Sequence, residues 1–252
     1  MIKQFILFLV VLTGSSYAQS VYKEVAKIND STDYYLEIGL FNKEEKKSVS
    51  KALFFTEKAI AFAKKKGQKS KLGAGYLQLA TVYYDIDKNE LSIDNYIRAI
   101  NVFDKKNPSA NLALAYYGLG KCYLKKNKIA VAEIYFEKAS TLYEALNFSE
   151  AIELINLQKG IINKEKKQYA KASNILLAVI ENLADDSFIT TKIEAYYQLG
   201  DIEMTQENYD KAINYYLLAY ETNTTNKTDF SITKRILKQL SVAYEKKKNT
   251  KQ

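Results

Sequence analysis

Residues 116–139 read YYGLGKCYLKKNKIAVAEIYFEKA, and this stretch decides the fold. Tyr116, Leu119, Gly120 and Tyr123 are spaced so that all four fall on one side of a helix. The polar run Lys126-Asn127-Lys128 interrupts the pattern. Ala132, Phe136 and Ala139 then resume it at offsets of four and three. The small residues allow two helices to approach closely, and the aromatic residue fills the gap they leave. The spacing predicts an antiparallel helix pair joined by a short polar turn.

The same columns extend in both directions. Ala52, Ser92, Ala132, Ala172 and Ala212 lie 40 residues apart, and Ala59, Ala99, Ala139, Val179 and Ala219 follow seven residues behind them. Between these fall Thr56, Tyr96, Phe136, Leu176 and Tyr216. Upstream, Leu40, Ala80, Gly120, Gly160 and Gly200 keep the same period, with Leu40 as the large exception. Several columns in phase over five periods are not an accident of composition. A fixed period of this length marks a repeat architecture.

These columns resemble the tetratricopeptide repeat, whose pattern runs aromatic-x2-Leu-Gly-x2-Tyr and then Ala-x3-aromatic-x2-Ala. Tyr116, Leu119, Gly120, Tyr123, Ala132, Phe136 and Ala139 match throughout. Tyr196, Leu199, Gly200, Ala212, Tyr216 and Ala219 also match, with Glu203 in place of an aromatic residue. Tyr76, Leu79, Ala80, Tyr83, Ser92, Tyr96 and Ala99 form a third unit. The unit at 148–185 is degenerate, with Asn156, Lys159 and Asn163 at apolar places, although Gly160 and Ala172 are kept. The unit before Lys71 keeps only Ala52 and Ala59 clearly.

The resemblance covers residues 31–248. It implies an all-α, right-handed superhelical solenoid of about five antiparallel helix pairs and a C-terminal capping helix. The pairs are expected at 31–66, 68–106, 108–147, 148–185 and 187–223, the cap at 229–247 and a polar tail at 249–252. The period exceeds the common 34, and this longer form looks like the repeats of bacterial peptide-sensing regulators and of extracytoplasmic regions of some sensor kinases. Pro108 sits where a helix must start. Ser109, Ser149, Ser187 and Asp229 are expected N-caps.

Composition removes most chemistry. There are no histidines, one cysteine, one proline and nine glycines among 252 residues. Histidine acid–base chemistry, Ser-His-Asp and Cys-His triads, histidine metal sites and intrachain disulfides are therefore excluded. The net charge is +8, carried by lysine, since Arg98 and Arg235 are the only arginines. Arginine is the residue that reads bases and phosphates bidentately, so nucleic acid is not expected as a partner. Runs such as Lys43-Glu44-Glu45-Lys46-Lys47 read as solvated helix faces. Cys122 reads as a small buried hydrophobe.

The N-terminus differs in kind. Lys3 precedes the eight-residue apolar run FILFLVVL at Phe5–Leu12, followed by Ser16 and Ala18 as small residues around one position. This reads as a secretory signal, residues 1–18, cleaved after Ala18. The run is too short to span a bilayer. Residues 19–30 form a short N-terminal segment. The mature chain is expected to be exported, periplasmic or extracellular, with no stable membrane span.

The tetratricopeptide resemblance implies that the first helices of the pairs line a concave groove, which often takes a peptide or a partner's helix. The residues there not used for packing are Gln78, Thr81, Tyr84, Tyr117, Lys121, Gln158, Ile161, Tyr197 and Asp201. Tyr117 and Tyr197 have a competing reading as packing residues. A carboxylate clamp is not supported, because only Lys121 and Lys125 fit it. No Gly-rich phosphate loop is present, and Asp85, Asp87, Asp185 and Asp186 read as helix ends rather than metal ligands. Asn147, Asn223 and Asn226 begin Asn-x-Ser/Thr triplets, but the lysine-, asparagine- and isoleucine-rich usage points to a bacterial source, where these carry no glycan. The expected function is non-catalytic, cofactor-free binding of a protein or peptide, as an adaptor or sensor module in envelope signalling or assembly. The alternative is the sensor region of a signalling protein without its membrane and output domains.

Overall fold

Second-helix side chains seated on first-helix glycines set the spacing of the pairs. A Cβ at Gly120 would stand 2.7 Å from the Phe136 ring, one at Gly160 2.7 Å from Leu176, and one at Gly200 2.5 Å from the Tyr216 ring. Adding that methyl group would force these partners apart. The first pair reverses the sizes: Leu40 stands in the glycine column, Thr56 in the aromatic column, and both are buried. Tyr96 seats instead on Gly118, where a Cβ would lie 2.2 Å from the ring.

The computed structural model describes residues 31–44, 48–183, 188–225 and 230–250. The signal at 1–18, the segment at 19–30, the caps Ser187 and Asp229, the pair Asp185-Asp186, Asn226 and the last two residues lie outside them. The described residues are all-α. Eleven helices run in order: α1 (Ser31–Glu44), α2 (Val49–Lys65), α3 (Lys69–Asp85), α4 (Asn89–Val102), α5 (Ala110–Lys125), α6 (Ile129–Ala145), α7 (Ser149–Glu165), α8 (Tyr169–Asn182), α9 (Ile189–Thr205), α10 (Tyr209–Thr225) and α11 (Phe230–Asn249). Successive helices pack as antiparallel pairs, α1 with α2 through α9 with α10, and α11 packs on α10. None of these helices is long and apolar enough to cross a membrane.

The chain divides into two compact units, Met1–Phe148 and Ser149–Gln252. The boundary falls where the degenerate repeat begins. Within the first unit, α1, α3 and α5 lie side by side; within the second, α7 adjoins α9. The degenerate repeat is stabilised by polar groups that satisfy one another. Buried Glu153 accepts from Asn156 Nδ2 at 3.1 Å and from Asn182 Nδ2 at 2.9 Å. Buried Asn163 donates to the Lys159 carbonyl at 2.7 Å.

Four of the turns inside the pairs share one geometry. Asp87, Asn127, Lys167 and Glu207 have φ of 60°, 57°, 59° and 61°. The following N–H reaches five residues back, as in Lys128 N to Tyr123 O and Asn208 N to Glu203 O, each at 2.9 Å. This is the Schellman ending, which turns the chain sharply and satisfies the last helical carbonyls. Ser109 caps α5 as expected, accepting from Leu112 N at 3.3 Å, and Pro108 lies just before that cap rather than inside the helix. Ser149 is already helical, and its hydroxyl donates to Glu150 at 3.1 Å.

Left-handed geometry at Lys167 and Glu207 penalises a side chain with a Cβ. Lys167→Gly and Glu207→Gly are each expected to stabilise their unit by about 0.5–1 kcal/mol. Denaturant unfolding checks this, with exposed Lys171→Gly inside α8 expected to destabilise instead.

Candidate functional site

The expected groove residues fall on the first helices of the pairs: Gln78, Thr81 and Tyr84 on α3, Tyr117 and Lys121 on α5, Gln158 and Ile161 on α7, Tyr197 and Asp201 on α9. The structure places them in two sets, one in each unit. Three of them do not offer surface. Tyr117 is buried against Phe136 with ring centroids 5.9 Å apart, and Tyr197 against Tyr216 at 5.6 Å. Gln158 is buried as well. Tyr117 and Tyr197 face the second helix of their own pair. Burial pushes the Tyr197 phenol up, with Asp201 adding to the shift and Arg235 opposing it.

The remaining residues are half-buried on the open faces. In the first unit, Gln78 Nε2 donates to the Leu36 carbonyl at 3.1 Å, and the Thr81 hydroxyl donates to the Gln78 carbonyl at 2.8 Å. Lys121 Nζ sits 4.5 Å above the Tyr84 ring and 5.6 Å from that of Tyr117; Lys125 Nζ lies 5.1 Å from Tyr84. A small hollow opens beside them, lined by Leu36, Leu40, Ala74, Leu77, Gln78, Thr81, Asn111 and Leu114. Its floor is apolar and its rim carries two carboxamides and a hydroxyl. In the second unit, Asp201 accepts from the Tyr216 hydroxyl at 2.7 Å and pairs with Lys164 at 3.4 Å. Lys164 also reaches Gln198 Oε1 at 2.5 Å. Asp201 is thus largely engaged by its own unit.

Ion pairs join neighbouring repeats near the repeat spacing: Asp33–Lys71 at 2.9 Å, Lys43–Asp85 at 3.1 Å, Glu90–Lys126 at 2.9 Å, and Asp87–Lys125, Glu194–Arg235 and Asp210–Lys247. Asp85 and Asp87 therefore serve as helix-end partners of lysines. Exposed pairs of this kind contribute about 0–1 kcal/mol each. Sequence reading passed over them because a charge seen alone reads as solvated. The repeat period, applied to charges as to apolar columns, would have found them.

Cys122 is buried beside Ser92 Oγ at 3.3 Å, and burial raises its thiol. Asn223 is buried and donates to Thr233 Oγ1 at 2.6 Å, so the Asn-x-Thr triplet there is inaccessible. Among the described residues no group of three or more Cys, Asp or Glu could hold a metal ion.

Family models described as tetratricopeptide repeat match residues 72–145 and 193–226. Response regulator aspartate phosphatase J of Bacillus subtilis (strain 168) is 27% identical over 141 residues, covering 54% of this chain and 38% of that protein. The Cut9 and Hcn1 hetero-tetramer of the APC/C has a TM-score of 0.70 at 15% identity, covering 92% of this chain and 40% of that one. The Rap conjugation gene regulator of plasmid pLS20, solved with the Phr* peptide, has a TM-score of 0.63 at 17% identity, covering 83% and 62%. This chain spans less than two thirds of each, and the structural likenesses concern the fold.

Tyr117→Ala and Tyr197→Ala are expected to cost about 3 kcal/mol or more in unfolding experiments. Lys121→Ala is expected to cost about 1 kcal/mol or less. A pH effect is expected at α1, where burial and nearby Asp33 push the Glu37 carboxyl up to about 7. A carboxyl raised on folding stabilises below its ordinary range, and that contribution is lost as pH climbs towards 7. Glu37→Gln should flatten this fall in the pH dependence of melting. The repeating helix pairs, the glycine and aromatic columns that seat them and the two matched segments show that this chain carries tetratricopeptide repeats.

Proposed function

We propose that this chain is an exported scaffold that binds a protein or peptide on the first-helix face of its repeats, as an adaptor or sensor module in envelope signalling or assembly. The observation that carries this reading is the hollow of the first unit. Leu36, Leu40, Leu77 and Leu114 provide an apolar seat, and Gln78, Thr81 and Asn111 provide donors and acceptors at its edge. An extended chain needs this combination, because its side chains seek apolar cover while its amides seek partners. The tetratricopeptide fold supports the reading as a non-catalytic binding scaffold. The pLS20 Rap regulator of the same fold is described in complex with a peptide. Export rests on the N-terminal pattern of Lys3, the apolar run Phe5–Leu12 and the small residues Ser16 and Ala18.

A second reading follows from the relative named a response regulator aspartate phosphatase. On that reading the chain is a signalling protein's sensor region, engaging a response regulator or a regulatory peptide inside the cell. Localisation separates the two.

Fractionation is expected to recover protein beginning at Gln19 outside the cytoplasm; intact Met1 in the cytosol would overturn export. Selection of peptides on purified protein is expected to yield binders carrying an apolar anchor. Thr81→Arg, which fills the hollow with a charged side chain, should abolish their binding, while Lys138→Glu on α6 should leave it unchanged. Binders indifferent to Thr81→Arg would place the site elsewhere.

A further inference from the structure

Glu37 breaks the repeat at a position where the four following pairs carry a large apolar side chain. At the 40-residue register Leu77, Tyr117, Leu157 and Tyr197 stand there, and all four are buried. The register also sets what Glu37 faces. Leu77 lines the hollow of the first unit together with Asn111 and Leu114 of α5. One repeat earlier the equivalent neighbours are Lys71 and Ala74 of α3, and Ala74 lines that same hollow. Leu36 and Leu40, which supply its α1 side, fall with Glu37 within about 100° of arc on the helix. Glu37 therefore stands half-buried at the edge of the hollow. Lys71 is taken up by Asp33, with which it pairs at 2.9 Å. Burial and the Asp33 charge push the Glu37 carboxyl up, and no basic group opposes them. Other acids of the first helices are matched: Asp85 by Lys43, Asp87 by Lys125, Glu194 by Arg235 and Asp201 by Lys164. A half-buried carboxylate without such a match is costly.

We propose that the hollow selects peptides with a lysine or arginine beside the apolar anchor, and that Glu37 is the residue that reads this cation. The inference rests on the hollow being a peptide seat, and it names what that seat prefers. Side chains of an extended chain alternate, so residues two apart share one side. A leucine seated over Leu36, Leu40, Leu77 and Leu114 leaves the residue two positions away free to reach the edge. A cation there supplies the charge that the fold leaves out. The site is partly shielded from water, where a charged hydrogen bond is stronger than at an open surface. An acidic peptide is the poorer occupant, because it sets like charges side by side. Long-range attraction does not favour lysine either, since a chain of net charge +8 repels cationic peptides and draws acidic ones. A preference for lysine therefore has to come from the local site.

The test uses the purified full chain and three synthetic peptides that share one central leucine. They carry lysine, glutamine or glutamate two residues to either side of it. By fluorescence anisotropy the lysine peptide is expected to bind roughly tenfold or more tightly than the glutamine peptide, and the glutamate peptide more weakly than either. Glu37→Gln should keep the fold and the affinity for the glutamine peptide, and should lose the preference for lysine. Glu37→Lys should reverse it in favour of glutamate. Glu137→Gln, on exposed α6 surface, should leave the preference unchanged, which separates a local contact from net charge. Thr81→Arg should abolish binding of all three peptides. Equal binding of the three, a preference for glutamate in the wild type, or a lysine preference that survives Glu37→Gln overturns the inference while the hollow itself still stands. Binding of none of them, or binding indifferent to Thr81→Arg, overturns the peptide seat and the inference with it.

Discussion

Close approach of two helices over a missing side chain is the contact on which the rest of this protein depends. Gly120 under Phe136, Gly160 under Leu176 and Gly200 under Tyr216 each exchange a Cβ for a large second-helix group. The volume is conserved although its distribution is not, as Leu40 and Thr56 show in the first pair. Dense packing of this kind tolerates exchanged sizes and resists added ones. Once the pair distance is set, the short Schellman turns and the repeat spacing follow from it. The scarcity of glycine and proline has the same origin: most turns end on Asp87, Asn127, Lys167 or Glu207 rather than on glycine.

Polar groups in the columns are handled locally. Glu153 with Asn156 and Asn182 replaces apolar contacts in the degenerate repeat by hydrogen bonds. A buried carboxylate left alone would be costly, whereas one that accepts from two carboxamides is tolerated. Lys43, Lys71, Lys125, Lys126, Lys164 and Lys247 follow a similar rule, each pairing with an acid about one repeat away.

The functional consequence is a division of labour around each first helix. One side holds the second helix, one holds its neighbours, and a narrow remainder is open. Lys121, Thr81 and Tyr84 lie on that remainder, while Tyr117, four residues before Lys121, belongs to the core. Four residues are about 40° of rotation on a helix, and that separates a half-buried side chain from a packing one. On α11 the same position, Leu237, is exposed. Position in the repeat therefore decides the role of a side chain more than its identity does.

The helix pairs, their period, the all-α class and the columns that pack were legible in the sequence, since periods of 40 and of 3.6 residues leave a direct trace in residue order. Six of the nine named groove residues are half-buried. The tertiary structure alone decided that Tyr117, Tyr197 and Gln158 are buried, that the chain forms two units, and that Leu237 on α11 is exposed. It also paired six lysines with acids about a repeat away. The physical reason is that periodicity specifies direction from one helix axis. Burial depends on how closely the next helix approaches, and that distance is set by side chains of the second helix such as Phe136 over Gly120 and Tyr216 over Gly200.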